Sequence, residues 1–217
     1  MKKVTVLYNK GKNGVTPTQG YEDDFAYDLY ASQGTLVPPL TFKSVAIETD
    51  FKTAFDPTLY GMKANLRSGA AFNTPLILSN STGIIEGTYR NTYKILARNT
   101  FIDNRLVDFL FDIKGNRIPV SAVPKEVMAR ALKFYNEETT LLGYPDTSPE
   151  IKEVLYKKVV PAGTIYVAKH DRIAQIHLQE KVYIDLKEVS ILPDSVRGEN
   201  GLGSSGSNLE EAQKDEK

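Results

Sequence analysis

The chain has 217 residues, 41% of them hydrophobic, enough for one globular domain with its own core. Lysine and arginine number 27, and aspartate and glutamate number 27, so the formal charge is zero and offers no electrostatic case for nucleic acid as a partner. With no cysteine and only two histidines, disulfides, thiolate metal sites and a cysteine nucleophile are excluded, and a zinc centre has few ligands to draw on.

In chain order, short alternating runs rich in valine, isoleucine, tyrosine and threonine predict strands. They fall at Lys3 to Tyr8, Tyr27 to Ala31, Phe42 to Glu48, Tyr60 to Leu66, Leu76 to Leu78, Thr92 to Arg98 and Leu106 to Ile113. Lys114-Gly115-Asn116, between DFLFDI and RIPV, reads as a hairpin turn. From Pro124 the period changes: Val127, Ala131 and Phe134, with Met128, Leu132 and Tyr135, fall on adjacent faces of a helix. A second short helix follows, with Ser148 as its cap, Pro149 at its start and Ile151, Val154 and Leu155 as its apolar stripe. Strands resume at Thr164 to Ala168, Ile173 to Leu178 and Val182 to Val189. The expectation is a mainly β fold interrupted by a helical segment. No run approaches the roughly 20 apolar residues of a membrane span. The start MKKVTVLYNKGKNG also lacks the apolar stretch of a signal peptide, so the cytoplasm is the expected compartment, with no membrane partner.

Five short stretches carry chemistry. FAYDLYAS holds Asp28, which as a carboxylate between apolar strand neighbours would ordinarily face solvent. NLRSGAA places Arg67, Ser68 and Gly69 after a strand, either as donors for phosphate or as a plain strand-to-turn junction with Arg67 in a surface ion pair. NSTGIIEGTYR, running from Asn80 to Arg90, reads on its own as an ordinary hairpin, and HDRIAQI, with Asp171, Arg172 and Gln175, as the start of a strand. RGENGLGSSGSN opens at Arg197, and on composition alone it is a linker. Its glycines nevertheless allow close backbone approach to phosphate, Ser204 and Ser205 add hydroxyl donors, and Arg197 offers a planar fork. Water attack on a nucleoside triphosphate needs donors for the phosphates, a divalent cation and a carboxylate to orient the water, and these stretches supply the protein's share.

In this order, from residue 25 to residue 208, the five stretches resemble the five motifs of the trimeric dUTPase (dUTP diphosphatase) family, in a phage-type form with an insertion between the third and fourth motifs. The resemblance implies a dUTPase-like β-barrel or jelly-roll subunit with a flexible C-terminal arm. It also implies a homotrimer with shared active sites and Mg2+-dependent hydrolysis of dUTP to dUMP and pyrophosphate. Residues 1–99 and 161–196 would form the barrel, 100–160 the insertion and 197–217 the arm and tail.

Site roles follow from the same resemblance. Asp28 would hold waters on magnesium, Ser68 and Gly69 beside Arg67 the inner phosphates, and Gln175 a phosphate or an ordered water, with Asp171 anchoring the site and Arg172 binding substrate. Asn80, Gly83 and the backbone around Ile84 and Ile85 would meet the polar edge of uracil, Tyr89 would pack under the deoxyribose, and Glu86 would position the attacking water. Arg197, Leu202, Gly203, Ser204 and Ser205 would close over the site of a neighbouring subunit.

The chain departs from the family pattern at four points. Glu86 stands where an aspartate is usual; one methylene moves the oxygens by roughly 1 Å, and a misplacement of that size can cost on the order of 100-fold in rate. Leu202 stands where an aromatic ring usually stacks on the base, and His170 where glycine commonly precedes the aspartate. The third and fourth motifs are also separated by roughly Thr100 to Val160, whose apolar helix face must be buried against the same subunit, a neighbouring subunit or another protein. These departures keep open a second function, a regulatory or binding protein on the same fold with reduced catalysis or altered base preference. The dCTP deaminases share the fold and use a glutamate about where Leu96 stands, which ranks deamination low.

Overall fold

The computed structural model describes residues 3–201, in a body, Met1–Val182, and a terminal unit that starts at Tyr183. The first half of the body carries strands β1 (Leu7–Lys10), β2 (Tyr27–Tyr30), β3 (Thr35–Val37), β4 (Val45–Glu48), β5 (Phe51–Ala54) and β6 (Tyr60–Leu66), then helix α1 (Ser68–Asn73). Next come β7 (Leu76–Leu78), β8 (Gly83–Glu86), β9 (Lys94–Asn99), β10 (Leu106–Val107), β11 (Phe109–Asp112) and β12 (Arg117–Pro119). Helices α2 (Lys125–Leu142) and α3 (Pro149–Val154) precede β13 (Val160–Pro161), β14 (Ile165–Val167) and β15 (Arg172–Glu180).

The strands form ladders in the orders β2-β15-β6-β8, β12-β11-β14-β3 and β4-β9-β7, with the pairs β1-β5 and β10-β13 beside them. Every pairing is antiparallel except β11 with β14. Alternation decides which face is buried. Along β9 exposed and buried residues alternate strictly, and Ile95, Ala97 and Asn99 point inward. The main apolar cluster gathers Leu29, Ile47, Phe51, Leu76, Ala97, Ile165 and Ile173 from several ladders. Each aliphatic side chain of this kind contributes about 1.5–3 kcal/mol when fully buried.

A second cluster receives α2. Val127, Met128 and Ala131 are buried with Leu36, Leu110 and Val160, so the apolar stripe expected from the sequence packs on the chain's own strands. Arg130 adds a hydrogen bond from Nη2 to the Gly34 carbonyl at 2.7 Å. The helix stops at Gly143, whose left-handed φ of 64° lets its N–H return to the Thr139 and Thr140 carbonyls. At α3 the Ser148 side chain accepts from the Ile151 N–H and Pro149 occupies the first turn, as the sequence predicts. The Lys114–Asn116 turn joins β11 and β12 as expected, with Gly115 at φ 82°.

Several expectations need correction. Val182 to Val189 alternates like a strand yet forms none, because alternation supplies a face but not a partner edge. The Lys3 to Tyr8 run is a strand only from Leu7, the Phe42 to Glu48 run only from Val45, and the run from Leu106 breaks at Asp108. Asn80 to Arg90 is not a self-paired hairpin: β8 pairs with β6 at a sheet edge, while β7 pairs with β9. Strands β3 and β5 and helix α1 were not anticipated.

Candidate functional site

The centre of the site is built by β15, which lies between β2 and β6. Regular pairing sets Gln175 opposite both Asp28 and Asn65. Arg172 is three residues before Gln175, and in a strand of period two they would face opposite sides. The register of β15 against β2 shifts between Arg172 and Ala174, a bulge that turns both side chains to one face. Arg172 Nη1 lies 3.1 Å from Asp28 Oδ2 and Gln175 Nε2 3.4 Å from Asp28 Oδ1. Arg67, one residue beyond β6, brings Nε to 3.1 Å from Asp28 Oδ1. Asp28 is therefore not the solvent-facing carboxylate that its strand position suggests; it is 3% exposed.

This cluster is asymmetric. The Arg67 and Arg172 side chains keep 31% and 46% of their surface, while that of Asp28 keeps 5%. Two guanidiniums against one carboxylate leave a local charge of +1 with unused N–H groups facing solvent, a ready anion site. Ser68 and Gly69 form the first turn of α1, where backbone N–H groups have no intrahelical acceptor. A Cβ at Gly69 would lie 3.4 Å from Arg67 Nη1, so these amides adjoin the guanidinium. Two carboxylate oxygens offer about four lone-pair positions. Arg67, Arg172 and Gln175 use three, which leaves Asp28 one acceptor for a metal-bound water. Among the described residues no group of three or more His, Asp or Glu could cage a metal, so a cation here would be held mainly by substrate oxygens and water.

Asp171 supports rather than lines this cluster. Its Oδ2 accepts from the Ala168 N–H at 2.7 Å and its carbonyl accepts from the Ala31 N–H at 3.0 Å, which ties the start of β15 to the end of β2. Burial pushes the Asp171 carboxyl above its ordinary pKa, and the Ala168 amide pulls it back. His170 sits at φ 70° and donates its N–H to the Ala31 carbonyl. It is a turn residue in the left-handed region, which is why a glycine is at home there.

Asn80, Gly83, Ile85, Glu86 and Tyr89 line a separate cavity of about 610 Å³. Its remaining wall includes Tyr93, Lys94 and Leu96. Leu96, where a deaminase-like site would need a glutamate, presents an apolar side chain. Glu86 and Tyr89 are both exposed, and the Tyr89 N–H closes a turn on the Glu86 carbonyl at 3.0 Å. Sequence reasoning missed two supports. Lys94 pairs with Glu48 at 3.0 Å, which raises the pKa of its ammonium, and Gly87 is buried where a Cβ would lie 2.6 Å from the Phe55 carbonyl oxygen. Only the register could have revealed the first; the second is a glycine beside the expected carboxylate.

The two clusters are separate within one chain. Glu86 pairs opposite Gly61 on β6, four residues from Asn65, and Asp28 is two strands beyond β6. Strand spacing and rise then put the two carboxylates on the order of 20 Å apart. In the terminal unit Arg197 donates from Nε to the Asn200 carbonyl at 2.9 Å, in a turn that includes Gly198 at φ 54°. Leu202, Gly203, Ser204 and Ser205 lie outside the described residues.

A mainly β chain with an arginine-framed anion site and a separate cavity of small-molecule size has the two features that holding a nucleotide requires. No protein-family model matches the chain. It is 26% identical over 207 residues to the deoxyuridine 5′-triphosphate nucleotidohydrolase of Yaba monkey tumor virus, covering 95% of this chain and 99% of that protein. It is 30% identical over 132 residues to the enzyme of the same name from Debaryomyces hansenii, covering 61% and 76% respectively. Among solved structures, Staphylococcus bacteriophage 80alpha dUTPase with dUPNHPP superposes with a TM-score of 0.69 at 23% identity, over 94% of this chain and 99% of that one. The chain belongs to the deoxyuridine 5′-triphosphate nucleotidohydrolase family, the dUTPases.

Proposed function

We propose that the protein hydrolyses dUTP to dUMP and pyrophosphate, as a magnesium-dependent homotrimer whose sites are shared between copies. The observation that carries this reading is the Asp28 cluster, in which residues from three separated motifs converge on one buried carboxylate, Arg172 being aimed at it by a strand bulge. Arg67, Arg172 and the first-turn amides of Ser68 and Gly69 receive the phosphate oxygens, and Gln175 holds a phosphate or an ordered water. Magnesium, when bound, neutralises phosphate charge, and Asp28 retains one acceptor for its water shell.

The 610 Å³ cavity takes the base. Asn80 and the backbone from Gly83 to Ile85 pair with the polar edge of uracil, and discrimination arises because a wrong base leaves those groups unpaired. Tyr89 packs under the deoxyribose. Glu86 accepts a proton from the water that attacks the α-phosphorus; a new P–O bond forms as the bridge to the β-phosphate breaks, and pyrophosphate leaves. Because Glu86 and Asp28 of one chain are on the order of 20 Å apart, the nucleotide meets Glu86 of one copy and Asp28 of another, with Arg197 and the arm from a third.

Subunit mixing tests this arrangement. Glu86→Gln and Arg172→Ala homotrimers should each lose most dUTP turnover, and unfolding and reassembling them together should restore a clear fraction, because some mixed sites contain both intact halves. No recovery on mixing would reject shared sites. Pyrophosphate release from dUTP far above that from dCTP or dTTP, abolished by EDTA, would support the reaction, whereas equal rates for the three nucleotides would reject its base preference.

A further inference from the structure

A second carboxylate is buried outside the clusters described above. Glu138, on α2, is 7% exposed. Its Oε1 accepts from the Lys43 backbone N–H at 2.5 Å, and among the described residues no ion pair includes it and no hydrogen bond engages Oε2. The residue lines a cavity of about 580 Å³ between α2 and the segment from Pro38 to Phe42, within the roughly 300–1,000 Å³ range of small-molecule sites. Five aromatic side chains, Phe42, Phe134, Tyr135, Tyr144 and Tyr156, share the rest of the lining with prolines, leucines and a few polar residues that include Asp103.

Among the described residues none of the chain's own cations is paired with Glu138. Arg105 pairs with Asp103 at the cavity wall at 2.5 Å, and Arg98 donates to the Phe42 carbonyl at 2.8 Å. Oε2 is not sealed from solvent but reaches the cavity, and a carboxylate largely withdrawn from bulk water without a cation favours one brought to it from outside. Aromatic faces add attraction for an organic cation and none of the oxygen ligands a divalent metal requires. We propose that this cavity binds a small organic cation, an alkylammonium or alkylguanidinium, whose charged head pairs with Glu138 Oε2 while its aliphatic stem lies against the aromatic wall.

Calorimetric titration of the whole protein with n-butylguanidinium, and with its neutral isostere n-butylurea, tests this without reference to nucleotide turnover. The cation should bind saturably at one site per chain and the urea at least tenfold more weakly. Glu138→Gln keeps an oxygen for the Lys43 amide but removes the charge, so it should melt no lower than the wild type and lose at least tenfold in affinity for the cation. Phe42→Ala, at an exposed wall position, should weaken binding severalfold. Equal binding of the cation and the urea, unchanged affinity in Glu138→Gln, or no saturable binding at millimolar cation would each overturn the proposal.

Discussion

The Asp28 cluster and the cavity beside Glu86 are built on opposite principles. At the first, a covered carboxylate holds two guanidiniums and an amide in place before any substrate arrives. At the second, Glu86 and Tyr89 stand on an edge strand and the turn after it, both exposed. The proposed phosphate end is thus preorganised by interactions that also stabilise the fold, whereas the proposed base end relies on side chains whose removal the fold hardly registers. Substitutions should separate the two ends by coupling activity to stability at one and decoupling them at the other.

The largest effect is expected at Asp28→Asn, which leaves two guanidiniums with no counter-charge. Breaking a fully enclosed pair costs about 3–5 kcal/mol; with both arginines partly solvated, a loss of about 2 kcal/mol is expected in urea unfolding. Turnover should fall at least 100-fold alongside it. Glu86→Gln should reduce turnover by about 10²–10⁴-fold while unfolding stability stays within about 0.5 kcal/mol and a nonhydrolysable dUTP analogue still binds. A Glu86→Gln protein that melted as early as Asp28→Asn would erase the contrast.

Gly87→Ala sharpens the comparison, since it perturbs the base end through packing. The new methyl meets the Phe55 carbonyl oxygen at 2.6 Å, and because a backbone atom must move, a destabilisation of about 1–3 kcal/mol is expected, read as a lower melting temperature with a raised KM. The smallest effect belongs to the phosphate end. His170→Gly relieves a left-handed backbone worth roughly 1–2 kcal/mol, but glycine returns roughly 0.5–1 kcal/mol as unfolded-chain entropy. The melting temperature should rise by about 1–2 °C with unchanged kcat. A fall would show that the imidazole itself contributes to the turn.

Local physics was legible in the sequence and long-range pairing was not. The cap at Ser148, the stripe of α2 and the bounds of β6 and β7 follow from nearest neighbours and periodicity, and the structure repeats them. Thr35–Val37 is too short to alternate and α1 too short to show a helical period, so neither was anticipated. Asp28 shows the deeper reason. Its partners lie 39, 144 and 147 residues away, and the bulge that aims Arg172 exists only once β15 is paired. Motif resemblance named these residues individually, but nothing local in their spacing indicated that Arg67 and Arg172 share one carboxylate. Glu138 and Lys43, 95 residues apart, were invisible for the same reason.

The position of β15 in the chain governs how the protein comes off the ribosome. This central strand supplies the partner edge for both β2 and β6, yet it is the last strand of the body to be made. At about 5–20 residues per second, roughly 5–20 s separate synthesis of β6 from that of β15. Throughout that interval β2 and one side of β6 present open backbone edges, the kind that pair with other nascent chains. A slow stretch of codons before Arg172, or a shortage of chaperone, should therefore lower the soluble yield without altering the protein that does fold.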